Sequence, residues 1–288
     1  MLTAIGVLAA TVLVHALPER DKNGLPHLRS ESVIIRLTDT NEIVLKKKPD
    51  EVRPIASVTK LLSTLVMARR RLEPPAEVTL EEADKDRLKW SRSRLAIGAT
   101  YAGGDLYRAA LIASDNRAIY ALVRTAGLER AEFVAEMNAL AAELGMKSSQ
   151  FRDPAGIDPA NVSTASDLLL LLDAVAREEA IASTTRQASV ELVAGDRRTL
   201  RLGNTNRLVH SPRWHVVLGK TGYTVEAGRS LVLRVELAGR PVDMVFLGSR
   251  EMASIFGDAA RVRRWLEEKI GSTASLSEPG SSAMLPSP

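Results

Sequence analysis

The sequence contains no cysteine among its 288 residues. That absence excludes disulfide bonds, thiolate zinc sites and a cysteine nucleophile. Aromatic residues are also scarce, at 4% of the chain, and the short basic runs at 46–48 and 69–71 have no aromatics between them. With a net charge of only +4 and mostly interspersed charges, the sequence argues against a nucleic-acid partner.

Histidine is nearly as rare, and its spacing gives no support to a metallopeptidase. The four histidines are His15, His27, His210 and His215. None lies in a His-Glu-x-x-His pattern, which places two zinc ligands and a general base on one helix face. A zinc peptidase is therefore the weakest of the alternatives, and we expect neither a metal nor another cofactor.

The two ends of the chain differ from its middle. Residues 2–14 are almost wholly apolar and Val14-His15-Ala16 resembles a small-x-small cleavage site, which predicts a signal peptide over 1–16, although no Lys or Arg precedes it. The alternative is a buried N-terminal element. Residues 271–288 are mostly Ser, Pro, Gly and Ala without an apolar period, so we expect a disordered tail that forms no amphipathic membrane anchor.

Between these ends, segments rich in β-branched residues enclose a helical middle. Hydrophobic residues make up 45% of the chain, which is enough for a full core at this length. We predict an α+β domain over 25–270 with a five-stranded antiparallel sheet flanked by helices, and an inserted all-helical lobe at about 77–180. The predicted strands are 32–37, 42–45, 215–220, 229–237 and 242–248; a short ribbon is expected at 190–193 and 198–202, and a closing helix at 254–270.

The stretch from Pro54 to Leu62 predicts the start of a helix with one apolar face. Ser57 and Lys60 are three residues apart, so they share a face in the first turn. Burial and the positive end of a helix both lower the pKa of an amine. A neutral Lys60 could take the proton of Ser57 and make it a nucleophile. The pattern alone is common, and its ordinary interpretation is a helix cap beside a solvated lysine.

Two further segments are chemically unusual. Ser114-Asp115-Asn116 interrupts a helical period that runs from Asp105 to Val123, and its side chains can bond their own backbone. Lys220-Thr221-Gly222 ends a predicted strand that begins at His215. Taken singly, the first is also explained as a cap between two helices and the second as a strand end with a solvated lysine.

In this order, and in these contexts, the three segments resemble the active-site motifs of penicillin-binding proteins and serine β-lactamases. Other segments are similar to the low-molecular-weight D-alanyl-D-alanine peptidases, and Lys220-Thr-Gly-Tyr223 followed by Glu226-Ala-Gly228 most resembles their D-alanyl-D-alanine endopeptidase branch. These other segments are 53–57, 113–116, 144–146, 153–156 and 204–206. The resemblance covers about Leu25 to Lys269 and implies the β-lactamase/transpeptidase fold.

The resemblance also suggests catalytic roles that the chemistry of the residues supports. Ser57 would attack the carbonyl of a D-Ala–D-Xaa bond, and Lys60 would be the general base, kept partly neutral by burial and by the second cation, Lys220. Ser114 would relay a proton to the leaving amine. Asn116 would bond both Lys60 and the substrate amide.

The remaining motif residues would bind and orient the substrate. Lys220 and Thr221 would present a positive charge and a hydroxyl to the substrate carboxylate. Gly222 would let the substrate backbone lie against the strand. The backbone N–H groups of Ser57 and Tyr223 would form the oxyanion hole.

The expected activity is that of a periplasmic serine DD-endopeptidase acting on peptidoglycan stem peptides and captured covalently by β-lactams. Tyr223 and the absence of a predicted amphipathic anchor favour it over the alternative, a D-alanyl-D-alanine carboxypeptidase. A class A β-lactamase is disfavoured because no glutamate lies between Glu143 and Glu178. A non-catalytic penicillin sensor is disfavoured because all three motifs are intact.

Overall fold

The computed structural model describes residues 20–276, so the predicted signal peptide at 1–16 lies outside the described residues. The strands are β1 Ser32–Leu37, β2 Glu42–Lys47, β3 Arg53–Pro54, β4 Val78–Thr79, β5 Thr100–Tyr101, β6 Val162–Ser163, β7 Ser189–Val193, β8 Thr199–Gly203, β9 His215–Thr224, β10 Gly228–Leu237 and β11 Arg240–Ser249. The helices are α1 Thr59–Arg69, α2 Gly103–Ile112, α3 Asn116–Thr125, α4 Arg130–Glu143, α5 Ala165–Val175, α6 Glu179–Thr185 and α7 Met252–Leu276.

Five strands form the main sheet in the order β2-β1-β11-β10-β9, and every neighbouring pair is antiparallel. All residues of β1 are buried, because strands flank it on both sides and helices cover both of its faces. The predicted five-stranded antiparallel sheet is confirmed. Within the described residues no further strand of the sheet pairs with the outer side of β9, where the Gly219 N–H donates to Thr185 Oγ1 and the other edge groups can bind an extended chain.

Two hydrophobic cores lie on opposite faces of this sheet. Val232 and Val245 face the core formed with α1 and α5, whereas Leu231, Leu233 and Met244 face the core formed with α7. This separation follows from the strand period of two, which sends successive side chains to opposite faces. The α1 helix is buried in the first core, so groups at its start are withheld from solvent.

The inserted lobe is less helical than the sequence predicts. Its helices are α2 to α5, but residues 77–102 form only β4, β5 and a 3₁₀ turn at Glu82–Asp84, so the expectation of an all-helical lobe is wrong for this segment. The reason is local: the Asp86 carboxylate accepts the backbone N–H groups of Leu88, Lys89 and Ser91. A side chain that bonds nearby backbone in this way competes with helix formation.

The closing helix α7 packs across the sheet and continues to Leu276, beyond the predicted end at Ile270. The rest of the predicted tail lies outside the described residues. Within 20–276, no helix combines the length and the apolar character needed to cross a bilayer.

Candidate active site

Ser57 lies at a sharp entrance to α1. Strand β3 pairs with β6 and leads into a 3₁₀ turn over Ala56–Val58, which α1 follows directly. Ala56 has a φ of 49°, a left-handed conformation that alanine rarely adopts. Gly156, itself at a φ of 80°, packs so tightly here that a Cβ atom would overlap the Ala56 carbonyl oxygen. The turn that presents Ser57 is therefore held by the loop that contains Gly156.

The Lys60 side chain is fully buried and contacts three oxygens. Its Nζ lies 2.8 Å from Ser57 Oγ, 2.6 Å from Asn116 Oδ1 and 2.8 Å from the Ala155 carbonyl oxygen. The last two oxygens can only accept hydrogen bonds, whereas the Ser57 hydroxyl can donate. A neutral amine has two N–H donors and one lone pair, so donation to Asn116 and Ala155 directs the lone pair at Ser57.

The electrostatics favour that neutral amine. Burial lowers the pKa of Lys60 to about 7, against the opposing effect of the Asp153, Asp115 and Asp86 carboxylates. The pKa of Lys220 is lowered well below its usual range, first by burial and then by the positive charge of Lys60. Burial is therefore the main cause of the low pKa of Lys60, and repulsion between the two amines further disfavours charging both of them.

The polar turn between α2 and α3 faces both lysines. Ser114 occupies it at a φ of 61°, and Asp115 caps α3 by accepting the Ala118 N–H at 3.0 Å. Lys220 Nζ donates to Ser114 Oγ over 2.7 Å, while Asn116 contacts Lys60. The second motif thus contacts Lys60 of the first motif and Lys220 of the third.

The third motif lies near the end of the edge strand β9. Lys220 is buried behind it, with 1% of its surface exposed, whereas Thr221 is accessible and donates to Thr205 Oγ1 over 2.6 Å. The Thr221 hydroxyl of β9 and the Thr205 hydroxyl, from the segment after β8, are therefore offered together to a ligand on this side, and the Lys220 side chain is buried behind them.

Gly222 brings the strand against the start of α1. A Cβ atom on it would lie 2.6 Å from the Ile55 carbonyl oxygen and 3.2 Å from the Ser57 nitrogen. Only glycine permits this approach, since such contacts are shorter than real Cβ atoms tolerate. The backbone nitrogen of Ser57 consequently lies beside Gly222, the residue before Tyr223, whose N–H the predicted oxyanion hole also uses.

These residues border a cleft of about 430 Å³. Of the predicted site residues, Lys60 and Lys220 lie behind its wall and the other six line it. The complete lining is Ser57, Ser114, Asn116, Asn204, Thr205, Arg207, Thr221, Gly222, Tyr223, Arg229, Ser230, Ile255 and Phe256. No cluster of three or more histidine or carboxylate side chains able to hold a metal ion occurs in the described residues.

A loop that the sequence does not predict fixes the second motif. Asn116 Nδ2 donates to Ser91 Oγ over 2.8 Å, which orients the amide oxygen toward Lys60. Two residues on, Ser93 donates to the Asp115 carboxylate over 2.8 Å. Lys89, in the same loop, forms an ion pair with Glu226 beyond β9. No spacing rule relates these residues to the second motif, so only the structure could find them.

Comparison with known proteins agrees with this architecture. The sequence profile of the D-alanyl-D-alanine carboxypeptidase family matches residues 19–251. A D-alanyl-D-alanine endopeptidase of Pseudomonas aeruginosa is 35% identical over 265 residues, covering 90% of this chain and 85% of that protein. One of Escherichia coli is 34% identical over 244 residues, covering 84% and 78%. The Streptomyces K15 DD-transpeptidase superposes with a TM-score of 0.76 at 23% identity, over 84% of this chain and 98% of that one, and confirms the predicted fold.

Proposed function

The chain belongs to the D-alanyl-D-alanine carboxypeptidase family, and from this premise we propose that it cleaves D-alanyl–D-Xaa bonds of peptidoglycan cross-links through an acyl-enzyme on Ser57. The observation that carries the proposal is the contact between Ser57 Oγ and the buried Lys60 amine at 2.8 Å. A hydroxyl beside an amine with a pKa of about 7 is an activated nucleophile at neutral pH.

Acylation begins when Ser57 Oγ attacks the D-alanyl carbonyl carbon and its proton passes to Lys60 Nζ. The negative charge that develops on the carbonyl oxygen is stabilised by the backbone N–H groups of Ser57 and Tyr223. When the C–N bond breaks, the proton that Lys60 took from Ser57 is relayed through Ser114, which bonds Lys220, to the leaving amine. Lys60 then has its neutral form restored for the next step.

Alignment of the substrate uses the open edge of β9. An extended peptide can add to this edge by backbone hydrogen bonds, as in other cases of strand addition. The carboxylate next to the scissile bond would meet the Thr221 hydroxyl in front of Lys220. A carboxylate there favours the charged form of Lys220, which burial alone disfavours. Substrate binding would thus stabilise a positive charge on Lys220 that the buried site otherwise disfavours.

Water then hydrolyses the ester, and Lys60 is again the available base. A β-lactam carbonyl would enter by the same route and acylate Ser57. No glutamate lies between Glu143 and Glu178 to activate a water against a bulky penicilloyl group, so we expect that adduct to persist.

The endopeptidase activity is favoured over the carboxypeptidase alternative by the two relatives above, both named D-alanyl-D-alanine endopeptidases. Tyr223 supports the same choice through the motif that it shares with that branch. Peptidoglycan as substrate implies export, so we propose a periplasmic location.

The primary test is labelling with fluorescent penicillin followed by mapping of the labelled peptide. We expect the label on Ser57 and none on Ser57→Ala protein that keeps the wild-type circular dichroism spectrum and melting temperature. A label on another residue would remove the nucleophile assignment. The second test compares kcat/KM for purified cross-linked dimer and monomeric pentapeptide. A clear preference for the pentapeptide would assign a carboxypeptidase and leave the Ser57 mechanism standing.

A further inference from the structure

Two arginines in the wall of the cleft have no role in the proposed mechanism. Arg207 and Arg229 both line it, and within the described residues neither forms an ion pair. The lining contains no Asp or Glu, and the two lysines of the site lie behind it. The charge that the open cleft presents to a ligand is therefore that of two guanidinium groups.

Arg229 is held in a fixed orientation. It lies at the start of β10 opposite Tyr223 of β9, and its guanidinium carbon is 4.3 Å from the centroid of the Tyr223 ring. Its Nε is buried and has no hydrogen-bond partner in the described part of the chain. Stacking on an aromatic face orients the guanidinium plane and leaves its edge free to bind an anion in the fork geometry.

Arg229 lies on the same face of the sheet as Thr221. Leu231 pairs with Thr221 and Arg229 pairs with Tyr223, so the two cross-strand pairs are two residues apart and project to one side. Thr221 is the group that meets the carboxylate next to the scissile bond. Arg229 therefore stands one pair further along the strands, in reach of a second anionic group on the same substrate.

The chemistry of the two peptidase substrates differs at this point. Cleavage of a free pentapeptide releases one D-amino acid, whose single carboxylate is the one that Thr221 receives. Cleavage of a cross-link releases an amine that belongs to a second peptide stem, and that stem keeps a C-terminal carboxylate of its own. We propose that Arg229, assisted by Arg207, binds this second carboxylate and so selects cross-linked substrate. The inference rests on the proposed function and specifies its leaving-group subsite.

The test varies the second carboxylate on the substrate as well as the arginine on the protein. The substrates are a cross-linked dimer, the same dimer with the C-terminal carboxylate of the leaving stem amidated, and the monomeric pentapeptide. Because hydrogen bonds to charged groups are strong, we expect amidation to lower the wild-type kcat/KM by about tenfold to a hundredfold. Arg229→Gln should show a similar loss on the free dimer and little further loss on the amidated one.

Two controls separate a binding role from a structural one. Arg229→Lys keeps the charge but not the fork, so its loss on the dimer should be intermediate. Arg69→Gln removes the same charge from an exposed position at the end of α1, outside the cleft, and should keep the wild-type ratio of dimer to pentapeptide cleavage. An equal loss on all three substrates, or a wild-type enzyme indifferent to amidation, would overturn the proposal.

A binding measurement keeps this test independent of catalysis. Ser57→Ala protein is titrated with the same three ligands, with and without Arg229→Gln. Preference for the dimer with a free carboxylate, lost in the double variant, supports the subsite even if the turnover assay contradicts the proposed function. Equal affinity for the free and amidated dimers refutes the subsite and leaves covalent capture of penicillin by Ser57 as a separate question.

Discussion

The most demanding prediction concerns the protonation of Lys60, because one buried amine should control both rate and stability. With a pKa of about 7 in the folded protein, Lys60 is neutral in about 10% of molecules at pH 6 and about 90% at pH 8. If the neutral amine is the base, the second-order rate constant for acylation should rise about tenfold between pH 6 and pH 8 and then level off. Stopped-flow labelling with fluorescent penicillin measures this constant.

The same shift predicts how stability depends on pH. The folded-state pKa of Lys60 lies below its ordinary value of 10.5, so the unfolded chain binds more protons between pH 7 and 10.5. Stability therefore rises with pH across this window. The penalty for burying Lys60 is about 4 kcal/mol at pH 7 and about 1 kcal/mol at pH 9.5, a difference of about 3 kcal/mol.

The variant Lys60→Met isolates this contribution. It fills most of the same volume without a charge, so it should be more stable than the wild-type protein at pH 7, and the gap should narrow by about 3 kcal/mol by pH 9.5. Lys220 is present in both proteins, so the effect of its own burial on stability cancels in the comparison. Only its repulsion with Lys60 differs between the two proteins. Urea unfolding at pH 7, 8 and 9.5 measures the gap. A gap that does not change with pH, together with a flat acylation profile, would refute the buried neutral amine.

Three other outcomes follow from the same geometry. Lys60→Arg should lower the rate of penicillin labelling by about 10²–10⁴-fold in the same stopped-flow assay, because arginine stays protonated; labelling at the wild-type rate would place the base elsewhere. Intact-mass spectrometry after brief exposure to penicillin should show the adduct on Ser57 persisting for minutes or longer, whereas rapid repeated turnover of nitrocefin would revive the β-lactamase alternative. Gly156→Ala should lower the free energy of unfolding by at least about 2 kcal/mol in urea, because a Cβ atom there meets the Ala56 carbonyl oxygen at a positive φ; an unchanged transition would contradict the close packing.

The sequence was sufficient wherever the signal is local. The strand period of two predicted β1 and β10 within one residue of their ends, and the interruption at Ser114 predicted the corner between α2 and α3. Ser57 and Lys60 were found together because one helical turn brings positions three apart onto one face. These features depend on neighbours in the chain, and the structure confirms them.

The contacts that the sequence could not reveal join distant parts of the chain. Lys60 Nζ meets the Ala155 carbonyl oxygen 95 residues away, and that backbone atom completes the set that directs the lone pair at Ser57. Ser91 reaches Asn116 from a loop that composition alone made look helical. Residue type does not reveal which backbone carbonyl will contact a distant side chain. Helix propensity also failed as a guide around Asp86, because its carboxylate accepts nearby backbone N–H groups and a loop forms instead.

Several elements of this site lower stability when taken alone, and their arrangement explains why they persist. Ala56 and Ser114 both adopt left-handed backbone conformations, and Lys60 loses its hydration without a facing carboxylate in hydrogen-bond contact. Each is constrained from outside: Gly156 packs on Ala56, and Lys220 bonds Ser114. If any one of these strained features relaxed, then Ser57, Lys60 or the turn at Ser114 would leave its position in the site. The neutral amine that activates Ser57 exists only because the surrounding core prevents the lysine from reaching water, so the stability lost at Lys60 and the reactivity gained at Ser57 have the same physical origin.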